Sequence, residues 1–227
     1  MSPLVLIPGM MCDARMWGDL PSALPCTVHH ALPTEGETIP DMAATILRTA
    51  PERFALAGLS MGGIVAMEML EQAPERVERL ALMDTNPLAE APEAAARRAP
   101  QIARALGGDL DGVMRDEMKP NYLADPDDAA TLDLCMAMAR DLGPEVFRRQ
   151  SLALKNRPDR TATLRRFSGA ALILMGKDDR PCPRDRHELM HSLMPQSRMV
   201  IIPGAGHLPP LEQPALTLSA LKDWLAA

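Results

Sequence analysis

The chain has 227 residues and a mass of 24.7 kDa, enough for one domain with room for an insertion and for a core that needs no disulfide or metal staple. Hydrophobic residues make up 47% and charged residues 24%, which excludes a mainly disordered, collagenous or coiled-coil architecture; aromatics are only 3% against 17 Met, so an apolar pocket is expected to be aliphatic and Met-lined. The net charge of −6 argues against whole-protein attraction to nucleic acid or anionic membrane, no apolar run nears a membrane span, and residues 1–9 lack the basic segment of a signal peptide, so a cytoplasmic protein is expected.

In chain order, residues 4–7 form a short continuous apolar run stopped by Pro8-Gly9, the pattern of a strand buried on both faces. Residues 26–31 are a weaker strand candidate, and residues 41–50 after Pro40 have helical spacing at Met42, Ile46 and Leu47. A strand over 53–57 leads into a helix over 61–72, rich in good helix formers, and then a strand over 79–83. Past residue 168 the alternation resumes with a strand at 170–175, a helix at 184–194, a strand at 199–202 and a helix at 213–225. Strand–helix alternation implies an α/β architecture with a mainly parallel sheet. Residues 86–168 break it: helical patterns at 93–106, 129–142 and 144–154 are separated by Gly107-Gly108, Pro126 and Gly143, with no convincing strand. This reads as a helical insertion into the core. It holds 13 acidic and 13 basic residues, so the rest of the chain carries the net charge. Within it, residues 148–166 hold seven Lys or Arg against one acid, Asp159, which is either a solvated, salt-bridged face or an attraction for anionic substrates.

The sharpest chemical signal is Gly58-Leu59-Ser60-Met61-Gly62-Gly63, a G-x-S-x-G placed between a strand and a helix. In that setting the serine occupies a strained turn with its hydroxyl raised above the sheet. The following helix start offers free N–H groups to a developing anion. A serine hydroxyl needs a base. Of five histidines, His29 and His30 adjoin an early strand, and His187 and His191 sit four apart on one helix as surface histidines rather than metal ligands. His207, in Pro203-Gly204-Ala205-Gly206-His207-Leu208-Pro209-Pro210, sits on a loop after a strand and is the candidate base. The carboxylate that orients a base is offered by Asp178 or Asp179 after the 170–175 strand, with Asp84 as a third option. The four cysteines, Cys12, Cys26, Cys135 and Cys182, form no C-x-x-C or zinc pattern and read as free thiols.

The order Ser…Asp…His on this alternation resembles the α/β-hydrolase fold, in its esterase, enol-lactonase and cofactor-free perhydrolase group. Residues 4–10 and Trp17 resemble that family's oxyanion loop, residues 58–63 its nucleophile elbow, and Gly176, Asp179 and Pro183 its G-x-x-D-x-x-x-P acid loop, which favours Asp179 over Asp178. Gly206-His207 with Glu212 and Pro214 resembles its histidine loop. The resemblance covers residues 3–85 and 169–226, and the insertion falls where the family carries its cap. It implies a core at 1–85 and 169–227, a cap at 86–168, a sheet of about six strands, a catalytic set of Ser60, Asp179 and His207, and oxyanion donors in the backbone N–H groups of Met10 and Met61. There are two departures. The oxyanion loop has Pro8-Gly9 where the family often has His-Gly, and the chain opens on what resembles the family's third strand.

The function implied is a serine carboxylesterase acting on small to medium aliphatic esters through an acyl-enzyme, with no cofactor and no metal. Enol-lactone or other lactone hydrolysis, thioester cleavage, carbon–carbon bond hydrolysis and perhydrolysis use the same residues and stay open, as does a non-catalytic binding protein on the same fold. The expected partner is a small-molecule ester or lactone, with no nucleic acid and no membrane; a homodimer is left open. Met114, Met118, Met136 and Met138 could line an acyl pocket, although helix–helix packing is the more ordinary use of such residues.

Overall fold

Six strands build the sheet; the central four are mostly apolar runs covered on both faces, and the two edge strands are partly exposed. The six are β1 (Leu4–Ile7), β2 (Val28–His30), β3 (Phe54–Leu59), β4 (Val77–Met83), β5 (Ala170–Gly176) and β6 (Arg198–Ile202). The computed structural model describes residues 2–227. All five strand pairings are parallel, in the order β2-β1-β3-β4-β5-β6. Side chains alternate between two cores: Val5 and Ile7 face one, Leu4 and Leu6 the other. The strand expected over 26–31 shrinks to three half-exposed residues at the sheet edge, where little burial is gained.

Parallel strands need crossovers, and helices supply them. On one face lie α2 (Ile39–Thr49), α3 (Met61–Gln72) and α8 (Arg184–Leu193); on the other lie α1 (Leu20–Ala23), the short α9 (Pro209–Glu212) and α10 (Pro214–Ala226), the last contributing Leu221, Trp224 and Leu225. The α2 helix starts two residues before the expected point, because Thr38 caps it by accepting the Asp41 N–H.

Between β4 and β5 the described chain is helical or irregular throughout: α4 (Pro92–Arg104), α5 (Leu110–Gly112), α6 (Ala129–Lys155) and α7 (Thr161–Arg166). The two helices expected at 129–142 and 144–154 are both present as halves of α6, broken at Gly143, where φ is 79° and Pro144 follows. From Ala105 to Met118 the chain winds through wide π-type turns around α5, a conformation that a 3.6-residue periodicity does not announce.

Three of the seven basic residues at 148–166 form ion pairs that tie this excursion down. Arg160 binds the buried Glu68 of α3, Arg166 binds Glu71, and Arg148 binds Glu37 and Glu145. The ordinary reading of that basic stretch therefore holds for these side chains. Arg157 differs and lines a cavity above the sheet.

The register aligns Ile7 with Gly58, Leu59 with Met83, and Met83 with Leu174. The carboxyl ends of β1, β3, β4 and β5 thus finish side by side. The loops that follow them meet where open parallel sheets gather their functional groups.

Candidate active site

At the end of β3 the chain turns into α3 through Ser60, whose φ is 54°. A non-glycine residue there is strained, and the surroundings hold it. The Ser60 N–H donates to the Met83 carbonyl at 2.8 Å, and the Thr85 hydroxyl donates to the Ser60 carbonyl at 2.6 Å. The flanking glycines are steric necessities. A Cβ on Gly58 would lie 2.2 Å from the Gly62 oxygen, and one on Gly62 would lie 2.0 Å from the Ile7 oxygen. The second contact presses the elbow directly against the loop after β1.

The loop after β6 carries His207, which is 2% exposed. Its Nε2 lies 2.9 Å from Ser60 Oγ, and its Nδ1 lies 2.8 Å from Asp179 Oδ1. Asp179 is buried and Asp178 is exposed, which separates the two candidates that position alone left open. The same Asp179 oxygen accepts the Cys182 N–H at 3.0 Å. Ser60, His207 and Asp179 thus form one hydrogen-bonded chain across three loops. Beside them, among the described residues, neither the Met10 nor the Met61 backbone N–H donates to a protein acceptor.

Asp84, the third carboxylate candidate, is not on this chain. It lies at the end of β4 with φ 44°, wholly buried, and its Oδ1 accepts the Gly176 N–H at 2.8 Å. Its Oδ2 and that of Asp179 have no partner, and an oxygen of each carboxylate lies within 4.8 Å of the other and of a His187 ring nitrogen. Burial, reinforced by the charge of Asp179, raises the Asp84 carboxyl well above the usual range and keeps it protonated. His187 is buried, not the surface histidine expected from its helix position. Its Nδ1 faces the Pro183 carbonyl at 3.3 Å; a carbonyl only accepts, so Nδ1 carries the proton and Nε2 is an acceptor. Burial lowers its pKa and keeps it neutral.

Two sets of metal-ligating atoms fall within 4.8 Å: Asp179, Cys182 and His207, and Asp84, Asp179 and His187. Asp179 belongs to both and is already engaged by His207 and the Cys182 N–H. Burial holds the Cys182 thiol protonated. Hydrogen bonding accounts for the first group; in the second, Asp84 Oδ2, Asp179 Oδ2 and His187 Nε2 are buried together without hydrogen-bond partners.

Other residues shape the site, and of these Tyr122 and Gln150 gave no sequence signal. Tyr122, the chain's single tyrosine, accepts the His207 backbone N–H at 2.6 Å and lays its ring 5.2 Å from the imidazole. Glu212, noted only for its place near the histidine loop, accepts three backbone N–H groups, from Ala124, Gly206 and Leu208. Gln150, wholly buried on α6, accepts the Met11 N–H and donates to the Pro33 carbonyl.

Above Ser60 and His207 opens a cavity of about 970 Å³, walled by Met10, Met61, Ile64, Leu88, Met118 and Leu154 together with several arginines. Of the four insertion methionines considered from the sequence, only Met118 lines it. Met114 and Met138 are wholly buried in the two cores, and Met136 borders a separate cavity. Aliphatic and Met side chains form only part of the wall; polar and charged groups, several of them guanidinium, make up the rest, so the pocket is less apolar than the composition implied.

Residues 4–220 match the alpha/beta hydrolase family. The chain belongs to that family. Pimeloyl-[acyl-carrier protein] methyl ester esterases are among its relatives. That of Salmonella agona is 28% identical over 96% of this chain and 91% of its own, and that of Nitrosomonas europaea 26% identical over 78% and 73%. A thermophilic esterase from Thermogutta terrifontis superposes with a TM-score of 0.90 at 28% identity, over 100% of this chain and 90% of that one. An enol-lactonase from Burkholderia xenovorans, at 19% identity, TM-score 0.85 and coverage of 100% and 92%, shares the fold. The fold is therefore the α/β-hydrolase fold, with the six-stranded parallel sheet flanked by helices, and the chain stands with the ester hydrolases of that family. No described helix is long and apolar enough to cross a membrane.

Proposed function

We propose that this hydrolase cleaves carboxylic esters of small to medium aliphatic substrates through a covalent acyl-enzyme on Ser60. The observation that carries this reading is the hydrogen-bonded chain Ser60 Oγ–His207 Nε2 at 2.9 Å and His207 Nδ1–Asp179 Oδ1 at 2.8 Å, anchored on an elbow with φ 54°. His207 takes the Ser60 proton as Oγ attacks the ester carbonyl, and then passes it to the departing alcohol. Asp179 holds the imidazole with Nδ1–H toward itself, so Nε2 is the basic nitrogen. A water activated by the same nitrogen releases the acid.

The oxyanion is received by the backbone N–H groups of Met10 and Met61, which have no other acceptor and belong to the two loops pressed together at Gly62. Each such donor contributes about 3 kcal/mol to the transition state. Residues 86–168 act as a cap over a core of residues 1–85 and 169–227, supplying Leu88, Met118 and Leu154 to the acyl pocket. The relatives named as methyl ester esterases are consistent with a small leaving alcohol.

The test pairs wild type with Ser60→Ala on a panel of p-nitrophenyl esters, lactones and acyl thioesters, beside labelling with a serine-directed fluorophosphonate. Wild type is expected to turn over short aliphatic esters and take the label, and the variant to do neither. Undiminished labelling of Ser60→Ala removes Ser60 from the mechanism, and lactones far outpacing esters removes the carboxylesterase assignment.

A further inference from the structure

The wall of the Ser60 cavity contains three charged side chains whose balance is uneven: Glu90, Arg98 and Arg157. Glu90, with its side chain 5% exposed, is shared between the two cations; one oxygen lies 3.1 Å from Arg98 Nη2 and the other 2.6 Å from Arg157 Nη1. The arginine side chains are themselves only 13% and 11% exposed. One carboxylate therefore answers two guanidinium groups in a wall largely shielded from water, leaving a surplus positive charge. Other charged residues at the cavity do not cancel it. Glu117 is taken by Arg104 and Gln101, Asp159 turns to the Thr161 N–H and hydroxyl, Arg186 is paired with the exposed Asp185, and Arg97 and Arg180 add positive charge.

The two arginines differ in what they still lack. Arg157 also donates from Nε to the Leu88 carbonyl at 2.9 Å. Arg98 has no oxygen partner except Glu90. Its Nε is buried without an acceptor, and its Nη1 faces the Met10 thioether at 3.6 Å, a weak acceptor. A buried guanidinium N–H without an oxygen is costly, and a planar carboxylate is the group its fork geometry fits best. The position is as telling as the vacancy in its bonding. The Met10 side chain that Arg98 touches belongs to the residue whose N–H faces the oxyanion. The cation thus sits one methionine side chain from the scissile carbonyl.

We propose that Arg98, backed by Arg157, is an anion subsite, and that the preferred substrate is the monoester of a short dicarboxylic acid. The free carboxylate docks on Arg98 while the ester carbonyl lies at Ser60. The inference rests on the esterase reading above. Ser60 Oγ bonds to the acyl carbon as the ester C–O bond breaks and the alcohol leaves with the proton from His207. Water then breaks the acyl–Ser60 bond, and the product is the dicarboxylate. An electroneutral acyl chain of the same length fills the same aliphatic wall but leaves Arg98 unanswered.

The test compares kcat/KM for monomethyl glutarate with that for methyl glutaramate, its neutral amide of equal size, in wild type, Arg98→Met and Arg98→Lys. Wild type is expected to prefer the carboxylate by on the order of 10- to 100-fold, the range for a hydrogen bond to a charged group. The ratio should fall to near one in Arg98→Met and recover partly in Arg98→Lys. A wild-type ratio of one or below, or a ratio that survives Arg98→Met in a variant with normal thermal unfolding, overturns the subsite. Calorimetric binding of glutarate to wild type, Ser60→Ala and Arg98→Met needs no turnover. Binding that persists in Ser60→Ala and disappears in Arg98→Met supports the subsite even if no ester is cleaved, in which case the esterase reading alone has failed. Absence of glutarate binding to wild type and Ser60→Ala counts against the subsite whatever the esterase activity.

Discussion

Gln150 accepts the Met11 N–H at 2.9 Å across 139 residues of sequence, and its amide nitrogen donates to the Pro33 carbonyl at 3.0 Å. A residue of the helical excursion thereby fixes the loop after β1, in which Met11 has a φ of 54° and from which Met10 is proposed to donate its N–H to the oxyanion. Gln150→Leu keeps the volume and removes both hydrogen bonds. Two buried backbone groups are left unpaired, each costing about 1–3 kcal/mol, so the melting temperature is expected to drop. A donor that acts only in the transition state is felt in kcat rather than KM. Steady-state kinetics on a short ester should therefore show kcat reduced by on the order of tenfold, with KM little changed. A rise in KM alone would mean that Gln150 shapes the pocket and not the oxyanion loop.

Asp84 and Asp179 turn unpartnered oxygens into one buried space, where burial and the charge of Asp179 raise the Asp84 carboxyl well above its usual range and favour a proton held on it. The folded protein keeps this proton where an unfolded carboxyl would release it. The stability it contributes is complete below the ordinary carboxylate pKa of about 3.9 and is lost as pH rises through the raised value. Asp84→Asn is neutral at every pH and preserves both roles, an oxygen for the Gly176 N–H and a donor toward Asp179. Thermal unfolding measured from pH 4 to pH 9 (about the range where carboxyl, imidazole and thiol groups titrate) should show the variant gaining on wild type as pH rises, with activity retained. Parallel curves would show that Asp84 ionises as it would in water. Asp84→Leu, which strands the Gly176 N–H, is expected to be destabilised at all pH values.

Much of this was legible in the sequence, and the boundary of legibility has a physical cause. Strands such as β1 and β5 are continuous apolar runs because both faces are covered, and the elbow glycines are visible because no side chain fits 2.0 Å from the Ile7 oxygen. Asp179 emerged from the family resemblance, whereas spacing alone could not separate it from Asp178; burial does. Gln150, Tyr122 and Arg98 act through contacts made when the excursion folds back on the core, and nothing in their local pattern encodes that return. His187 misled for a related reason. A polar residue on a helix reads as exposed until the loop packed over it is known.

Glu212 gathers three N–H donors, Ala124 at 2.7 Å, Gly206 at 2.9 Å and Leu208 at 2.9 Å, and so binds both flanks of His207 to the excursion. Glu212→Gln replaces one acceptor oxygen with an NH₂ that meets another donor. The expected cost is about 1–3 kcal/mol, which for a chain of this size lowers the melting temperature by several degrees. Freed on both sides, His207 should also spend less time in line with Ser60, and kcat should fall with the melting temperature. Scanning calorimetry beside initial-rate measurements would decide this, and a variant that melts like wild type would show that the loop is held by the Tyr122 carbonyl alone.

Asp178 and Asp179 are adjacent in sequence and opposite in circumstance. Asp178 is exposed, and its backbone N–H binds the Ala205 carbonyl at 2.9 Å, a bond that a side-chain substitution leaves intact. Asp179 is buried against His207 Nδ1 and the Cys182 N–H. On the proposed mechanism, Asn at 179 keeps the shape but loses the charge that would balance an imidazolium formed as His207 takes the Ser60 proton, and its NH₂ favours the wrong tautomer if it turns toward the ring. Turnover by Asp179→Asn is expected to fall by on the order of 10⁴-fold, with the protein folded and its substrate affinity little altered. Asp178→Asn should stay within about twofold of wild type, as surface substitutions do. The decisive measurement is kcat for the two variants on the same ester. Loss of activity in Asp178→Asn with retention in Asp179→Asn would reverse the assignment of the carboxylate.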